Sequence, residues 1–261
     1  MFDYHMHSLV SFDGQDTPEI MAQMALKAGL KEICFTDHVD DGPPCTERFN
    51  RFTTEEYGAA YDSLEISGLK IRKGLEFGML PDNQALLKQY LQERPFDFVI
   101  GSVHYIGDQD IYFPEYWVGK TQQQAELVYM ETTLRCVKAH DDFDVLGHLT
   151  YISKARANPA KRLIPYEWYR ELFDEILKTL VSKGKGMEIN SSGVDRCGDF
   201  LPSAEYLRRF KELGGEIVTV GSDAHTANRV GQHMHRACEI VQDIFGYVCT
   251  FEDRKPIFHK L

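Results

Sequence analysis

No run of the 261 residues approaches the ~18 consecutive apolar positions of a membrane-spanning helix. The first residues, Met1-Phe2-Asp3-Tyr4-His5, lack a basic segment followed by an apolar stretch. A secretory leader is therefore not expected, and a cytoplasmic location is the default. Cationic charge is in short supply. The formal net charge is −11, which leaves no basic footprint for DNA or RNA. Cysteine pairs are missing too. The six cysteines, Cys34, Cys45, Cys136, Cys197, Cys238 and Cys249, are scattered without a C-x-x-C. That spacing excludes a thiolate zinc site and argues against a disulfide framework, so most should be small buried residues. Internal repeats, low-complexity stretches and linkers are also absent, and one domain spanning 1–261 is expected.

What is present alternates. Short runs rich in β-branched and aromatic residues precede longer helical patterns. Strands are expected at Phe2–Met6, Ile33–Asp37, Ile71–Glu76, Phe98–His104, Val145–His148, Met187–Asn190 and Ile217–Asp223. Helices fit Thr121–Ala139, Tyr166–Ser182, Ser203–Leu213 and Asn228–Phe245. An earlier helix opens with Thr17 as N-cap and Pro18 at its first position, and Gly29 closes it. Ile20, Met21, Met24 and Ala28 are its expected buried face. Tyr247–Phe251 reads as a terminal strand. Seven strands alternating with helices argue for an α/β fold with a parallel sheet, either closed as a barrel or open and doubly wound. Polar residues gather at the C-terminal ends of nearly every strand, the face where barrels keep their active sites, and this favours the barrel.

Those strand-end residues are imidazoles and carboxylates. His5 and His7 form an H-x-H pair on a strand, where residues two apart share a face and can hold one ion. His233 and His235 have the same spacing in a helical pattern. There they point roughly 200° apart, and they serve as an internal control. Asp37 and His38, Glu76, His104, His148, Asp223 and His225 follow the other strands, and Asp13 lies in the loop after the first. Singly, each has an ordinary structural explanation as a hydrogen-bonded histidine or a solvated carboxylate. Jointly they would crowd one barrel mouth, a donor set suited to zinc, manganese or iron.

The H-x-H start, T-D-H at 36–38, G-L-E at 74–76, G-S-V-H at 101–104, G-H at 147–148 and G-S-D-A-H at 221–225 resemble the PHP (polymerase and histidinol phosphatase) superfamily. The resemblance runs in order along nearly the whole chain. Glu188-Ile-Asn-Ser-Ser-Gly193 and the lack of fused domains look most like its monofunctional histidinol-phosphatase branch. The resemblance implies a distorted (β/α)7 barrel, similar to a TIM barrel, with three divalent metal ions per chain (Zn, Mn or Fe). It assigns His5, His7, Glu76 and Asp223 to one ion. A second would take the bridging Glu76 with His104 and His148, and the third Asp13, His38 and His225. Several relatives carry histidine where Asp13 stands; the carboxylate here keeps a ligand and would shift preference toward manganese or iron.

The same resemblance implies a phosphomonoester hydrolase with Glu76, Asp223 and His225 as catalytic residues. No serine or cysteine sits in a nucleophile elbow, in agreement with a metal-activated water. Phosphate also calls for a guanidinium fork, and Arg156 and Arg196 are the candidates, with Arg229 behind them. The expected partner is a small phosphomonoester, with neither nucleic acid nor membrane, and a homodimer is compatible with this. L-histidinol phosphate is the leading substrate. Small nucleotides, phosphotyrosine and a metal-binding scaffold without activity are the rivals. Loop carboxylates, Asp40, Asp41, Glu47, Asp108 and Asp110, suit a cationic substrate better than a polyanion.

Overall fold

Strand β1 (Phe2–Met6) pairs in parallel with β2 (Glu32–Phe35), which pairs with β3 (Lys70–Gly78). The series continues through β4 (Phe98–Ser102), β5 (Val145–Leu146), β6 (Gly186–Asn190) and β7 (Val218–Gly221), every pair parallel. The last strand returns to the first: Asp223 N donates to His5 O (2.7 Å) and His7 N to Ala224 O (2.9 Å). The result is the expected seven-stranded barrel, seen in a computed structural model that describes residues 1–43 and 50–261. Cys45 and Glu47 lie outside the described residues. Distortion comes from a register shift between Asp3 and Met6 and from the two-residue β5.

Helices α1 (Pro18–Lys27), α2 (Thr54–Tyr61), α3 (Gln84–Glu93), α4 (Gln122–Ala139), α5 (Arg170–Ser182), α6 (Ala204–Glu212) and α7 (Met234–Ile244) complete the order. Thr17 caps α1 as expected, its side chain accepting from Ile20 N. The buried face of α1 differs: Met21, Ala22 and Ala25 are buried with Pro18, whereas Ile20 is 44% exposed and Ala28 is also outside. Small alanines let this helix approach the sheet. Helices α2 and α3 are additions to the expected elements: α2 carries no strong apolar period, whereas α3 sets Leu86, Leu87, Tyr90 and Leu91 on one face. A capping box between Thr53 and Glu56 starts α2, and Tyr57 and Tyr61 are its buried anchors. The pattern Asn228–Phe245 splits: a 3-10 turn at Ala227–Arg229 is separated from α7 by Gly231 and by His233, both at positive φ. His233 is thus the N-cap of α7 rather than an interior residue.

The terminal run Tyr247–Phe251 is a strand, but not of the barrel. Strands β8 (Tyr247–Glu252) and β9 (Lys255–Lys260) form an antiparallel hairpin. It lies under the N-terminal ends of the barrel strands. Phe251 packs on Phe98 (ring centroids 4.7 Å), and Phe98 on Tyr4 (5.4 Å). Around this plug Arg72 bonds Glu32 (3.1 Å) and Glu252 (2.6 Å), and Arg254 bonds Asp144 (2.5 Å). Cys34, Cys136 and Cys249 are buried, and Cys197 and Cys238 partly so. With the lower mouth filled, the C-terminal mouth is where side chains can face solvent. Among the described residues, no helix is long and apolar enough to cross a membrane.

Candidate metal centre

Glu76, completely buried near the end of β3, is the hub of the C-terminal mouth. Its Oε2 lies 3.1 Å from His5 Nε2, 3.2 Å from His38 Nδ1 and 3.5 Å from His7 Nε2. Its Oε1 lies 2.8 Å from His148 Nε2 and 3.3 Å from His104 Nε2. Asp223 Oδ1 is 3.3 Å from His7 Nε2 and 3.7 Å from His5 Nε2. Asp13 Oδ2 reaches His225 Nε2 (3.0 Å) and His38 Nε2 (3.6 Å). All nine candidate ligands therefore converge. Each comes from a strand end or the loop after it, where a barrel's strands bring distant residues together.

The donor chemistry fits divalent cations. His5 Nε2, His7 Nε2, Asp13 Oδ1, His38 Nδ1, Glu76 Oε2 and His148 Nδ1 are buried without a hydrogen-bond partner. Buried polar atoms in such numbers call for a ligand. Four ligand groups lie with donor atoms within 4.8 Å of one another: His7/His38/His225, His5/Glu76/His148, His5/His7/Asp223 and His38/Asp40/His104. They overlap with the three sets expected from the sequence without reproducing them, and Asp40 is new.

The electrostatics of the ion-free cluster are those of crowded ion pairs. Burial opposes charge on Glu76, yet His5, His104 and His38 hold it well below the usual carboxylate range. Burial likewise opposes charge on Asp223, but Lys154 and His5 hold it low. His5 is desolvated, but Glu188, Glu76 and Asp223 raise it well above an ordinary histidine. His225 rises to about 9, where Asp13 and Asp223 outweigh burial. His7 moves the other way, lowered by burial and by the neighbouring His225 and His38.

A family model described as PHP domain matches residues 3–192. The chain belongs to the PHP domain family. Over 259 residues it is 34% identical to a histidinol-phosphatase of Lactococcus lactis subsp. lactis strain IL1403, covering 97% of this chain and 95% of that one. It is similar to the crystal structure of histidinol phosphate phosphatase from the same strain, complexed with zinc, L-histidinol and phosphate. The TM-score is 0.84 at 31% identity, with 98% of each chain covered. A Listeria monocytogenes structure, 18% identical, shares the fold at a TM-score of 0.77, with 91% of this chain and 100% of that one covered.

Around the candidate ligands of this PHP domain sits a set of residues whose role sequence reasoning did not find. Glu188 on β6 is completely buried; its Oε1 is 2.7 Å from His5 Nδ1 and its Oε2 accepts from His148 N (2.8 Å). Asp40 Oδ1 is 3.0 Å from His104 Nδ1. Ser11 Oγ is 3.1 Å from His7 Nδ1, and the Asp223 carbonyl is 2.9 Å from His225 Nδ1. Each outer partner holds one ring nitrogen, so the other faces the centre, the usual way a protein aims an imidazole at a metal. Asp37 of the T-D-H motif is not in the cluster. It accepts from Ser8 N (2.8 Å), Ser11 N (3.3 Å) and the Tyr61 hydroxyl, and so holds the loop carrying Ser11. Glycine in G-S-D is a matter of room: a Cβ on Gly221 would lie 2.3 Å from Glu188 Oε1 and 2.4 Å from His5 Cβ.

The cluster floors a cavity of 580 Å³. Arg196 lines it, its guanidinium 5.3 Å over the Tyr112 ring. Arg156 does not. It is exposed, with its backbone N bonded to Tyr112 O. The cation in that loop is Lys154, whose Nζ pairs with Asp223 and bonds Ser192 Oγ (2.8 Å). The 3-10 turn at Tyr151–Lys154 brings Lys154 to the mouth and leaves Arg156 beyond it. Arg229 also lines the cavity, 3.1 Å from Asp195. His233 bonds Asp195 (3.1 Å) and His235 is exposed, so the control pair stays out of the centre.

Proposed function

We propose that this PHP domain, as one unit over residues 1–261, hydrolyses L-histidinol phosphate to L-histidinol and phosphate. One observation carries the reading: nine imidazoles and carboxylates, six of them with an unpartnered buried atom, converge at the base of a cavity whose rim carries Lys154, Arg196 and Arg229. The full-length likeness to the Lactococcus lactis histidinol-phosphatase supports the choice of substrate. His5, His7, Asp13, His38, Glu76, His104, His148, Asp223 and His225 would hold up to three divalent ions, zinc, manganese or iron. Such ions, when bound, neutralise phosphate charge and acidify a water for attack.

The protein's own side chains do the rest. Glu76, Asp223 and His225 are assigned the catalytic role. Glu76 is the carboxylate shared by five imidazoles, Asp223 joins the cluster to Lys154, and His225 is the cluster imidazole most open to the cavity, 26% exposed. Lys154 and Arg196 stand where phosphate oxygens arrive and balance the charge that gathers on them. Arg229, held by Asp195, is a third contact. Tyr112 and Phe113 form an apolar wall that limits water.

Lys154→Ala is expected to lower kcat/KM about 100-fold on every phosphomonoester, as the loss of a donor aimed at transition-state charge does. Arg196→Ala should also lose all esters by similar factors. Arg156→Ala should change activity by less than about twofold, because its side chain is a surface group. Kinetics of the three variants on one substrate set decide the matter; a larger loss at Arg156 than at Lys154 would reverse the assignment.

The function itself is tested by a phosphate-release panel with varied metals. For L-histidinol phosphate, kcat/KM should exceed that for nucleoside monophosphates and phosphotyrosine by at least about tenfold, or ~1.4 kcal/mol of discrimination. A nucleotide preference would replace the substrate and leave the metal chemistry standing.

A further inference from the structure

L-histidinol phosphate is dipolar. Its phosphate end is common to every phosphomonoester, whereas its other end carries an amine and an imidazole, both able to be cations. Discrimination therefore needs a group in the cavity that answers a cation and is not already engaged. Among the described residues, the carboxylates lining the cavity are Asp13, Asp40, Glu76, Asp110, Asp195 and Asp223. Three of them, Asp13, Glu76 and Asp223, belong to the metal cluster. Asp40 is taken by His104 (3.0 Å) and His38 (3.4 Å). Asp195 accepts from Arg229 (3.1 Å), Gln232 (3.0 Å) and His233 (3.1 Å). That leaves Asp110. Among the described residues its side chain accepts one hydrogen bond, from Tyr112 N at 2.8 Å, and pairs with no lysine or arginine.

We propose that Asp110 is the specificity-determining residue, receiving the cationic amine and imidazole end of the substrate against Tyr112 and Phe113. This rests on the proposed function above. The local structure holds the carboxylate in place. Asp110 ends a small antiparallel pair, Tyr105–Ile106 with Gln109–Asp110, and Ile111 N bonds His104 O (3.0 Å) to tie it to β4. Tyr112 contacts both groups: its backbone N donates to Asp110, and its ring carries Arg196. A carboxylate and a guanidinium are thus both tied to one cavity-lining tyrosine, an arrangement suited to a short molecule with a cation at one end and phosphate at the other. Rings beside the carboxylate favour a cation and stack on an imidazole. Burial lifts the Asp110 carboxyl to about 6, consistent with a desolvated acid that lacks its cation.

A proton-donor role for Asp110 toward the leaving alkoxide is separated from this one by the choice of control ester. The control must have the same kind of leaving group and no cation, and n-propyl phosphate meets both conditions. Wild type, Asp110→Asn and Asp110→Glu are compared on L-histidinol phosphate and n-propyl phosphate, with metal content checked for each. The expected result is a loss of at least ~20-fold in kcat/KM for L-histidinol phosphate in Asp110→Asn, carried mainly by KM. The loss for n-propyl phosphate should be several times smaller, and Asp110→Glu should recover part of the preference. Equal losses on both esters would make Asp110 a proton donor or a structural residue and overturn the proposal. A wild-type preference that survives Asp110→Asn would overturn it alone. A wild-type enzyme with no preference for L-histidinol phosphate would overturn the proposed function and the inference together.

Discussion

Glu76→Gln is expected to lower kcat by at least ~10³-fold, or about 4 kcal/mol of transition-state stabilisation. The substitution keeps the shape of the side chain, so packing around β3 should survive. What changes is chemical. Both carboxylate oxygens face imidazole nitrogens, Oε2 toward His5, His7 and His38 and Oε1 toward His104 and His148. An amide removes the negative charge and presents N–H groups to a site built for cations. His38→Ala removes a ring at the edge of the cluster, next to Asp13, and should cost about 10- to 30-fold less than Glu76→Gln. Elemental analysis beside the kinetics checks the cause: Glu76→Gln should hold at least one ion fewer per chain than wild type. Equal losses at matched metal content would show that Glu76 is not the hub.

A second large effect is expected in the pH dependence of stability with and without metal. In the ion-free protein His225 titrates at about 9 and His5 and His104 well above 6.5. A histidine raised on folding stabilises the protein fully below its unfolded pKa, and that contribution is lost as pH rises through the folded pKa. His225 alone then contributes about 3 kcal/mol near pH 6 that is gone past pH 9. His7 and His148, held below 6.5, are neutral when folded but mostly protonated when unfolded near pH 6, so their small penalty is relieved as pH rises and offsets part of the loss. Glu76 and Asp223, held low, lose their contribution only in acid. Metal ligation requires neutral imidazoles, so the loaded protein gains where the stripped one loses. The gap in Tm between loaded and stripped protein should widen by roughly 10 °C from pH 6 to pH 9. A gap constant across that range, measured by thermal unfolding in matched buffers, would contradict the paired-ion description of the cluster.

The strands and the candidate ligands were legible in the sequence for the same reason. A buried parallel strand is an apolar run, and in a barrel the polar residue that ends it stands at the mouth. His5, His38, Glu76, His104, His148 and Asp223 all follow that rule. The residues around them were not legible. Glu188 sits inside a strand and meets His5 across 183 positions, and no local period reports such a contact. Asp40 looked like any loop carboxylate until the fold set it against His104. Arg156 and Lys154 lie two positions apart in one loop, and only the 3-10 turn decides which enters the cavity. Charge type alone favoured the guanidinium. Helix α2 escaped because burial of Tyr57 and Tyr61, rather than a continuous apolar stripe, holds it, whereas the stripe of α3 at Leu86, Leu87, Tyr90 and Leu91 was legible and missed.

The barrel's seam joins β1 to β7, and Ser222 N donates to Asp3 Oδ1 across 219 positions. During synthesis, His5 and His7 therefore leave the ribosome long before Asp223 exists to complete the candidate ion group they form with it. A nascent chain can form local helices and the early strand pairs, but the assembled centre has to wait for β7. Long-range closure of this kind slows folding and prolongs the exposure of unpaired strand edges. Assembly of the candidate centre is consequently a late event in the life of the chain, and a truncation before β7 would remove Asp223 and His225 together with the strand that closes the barrel on β1.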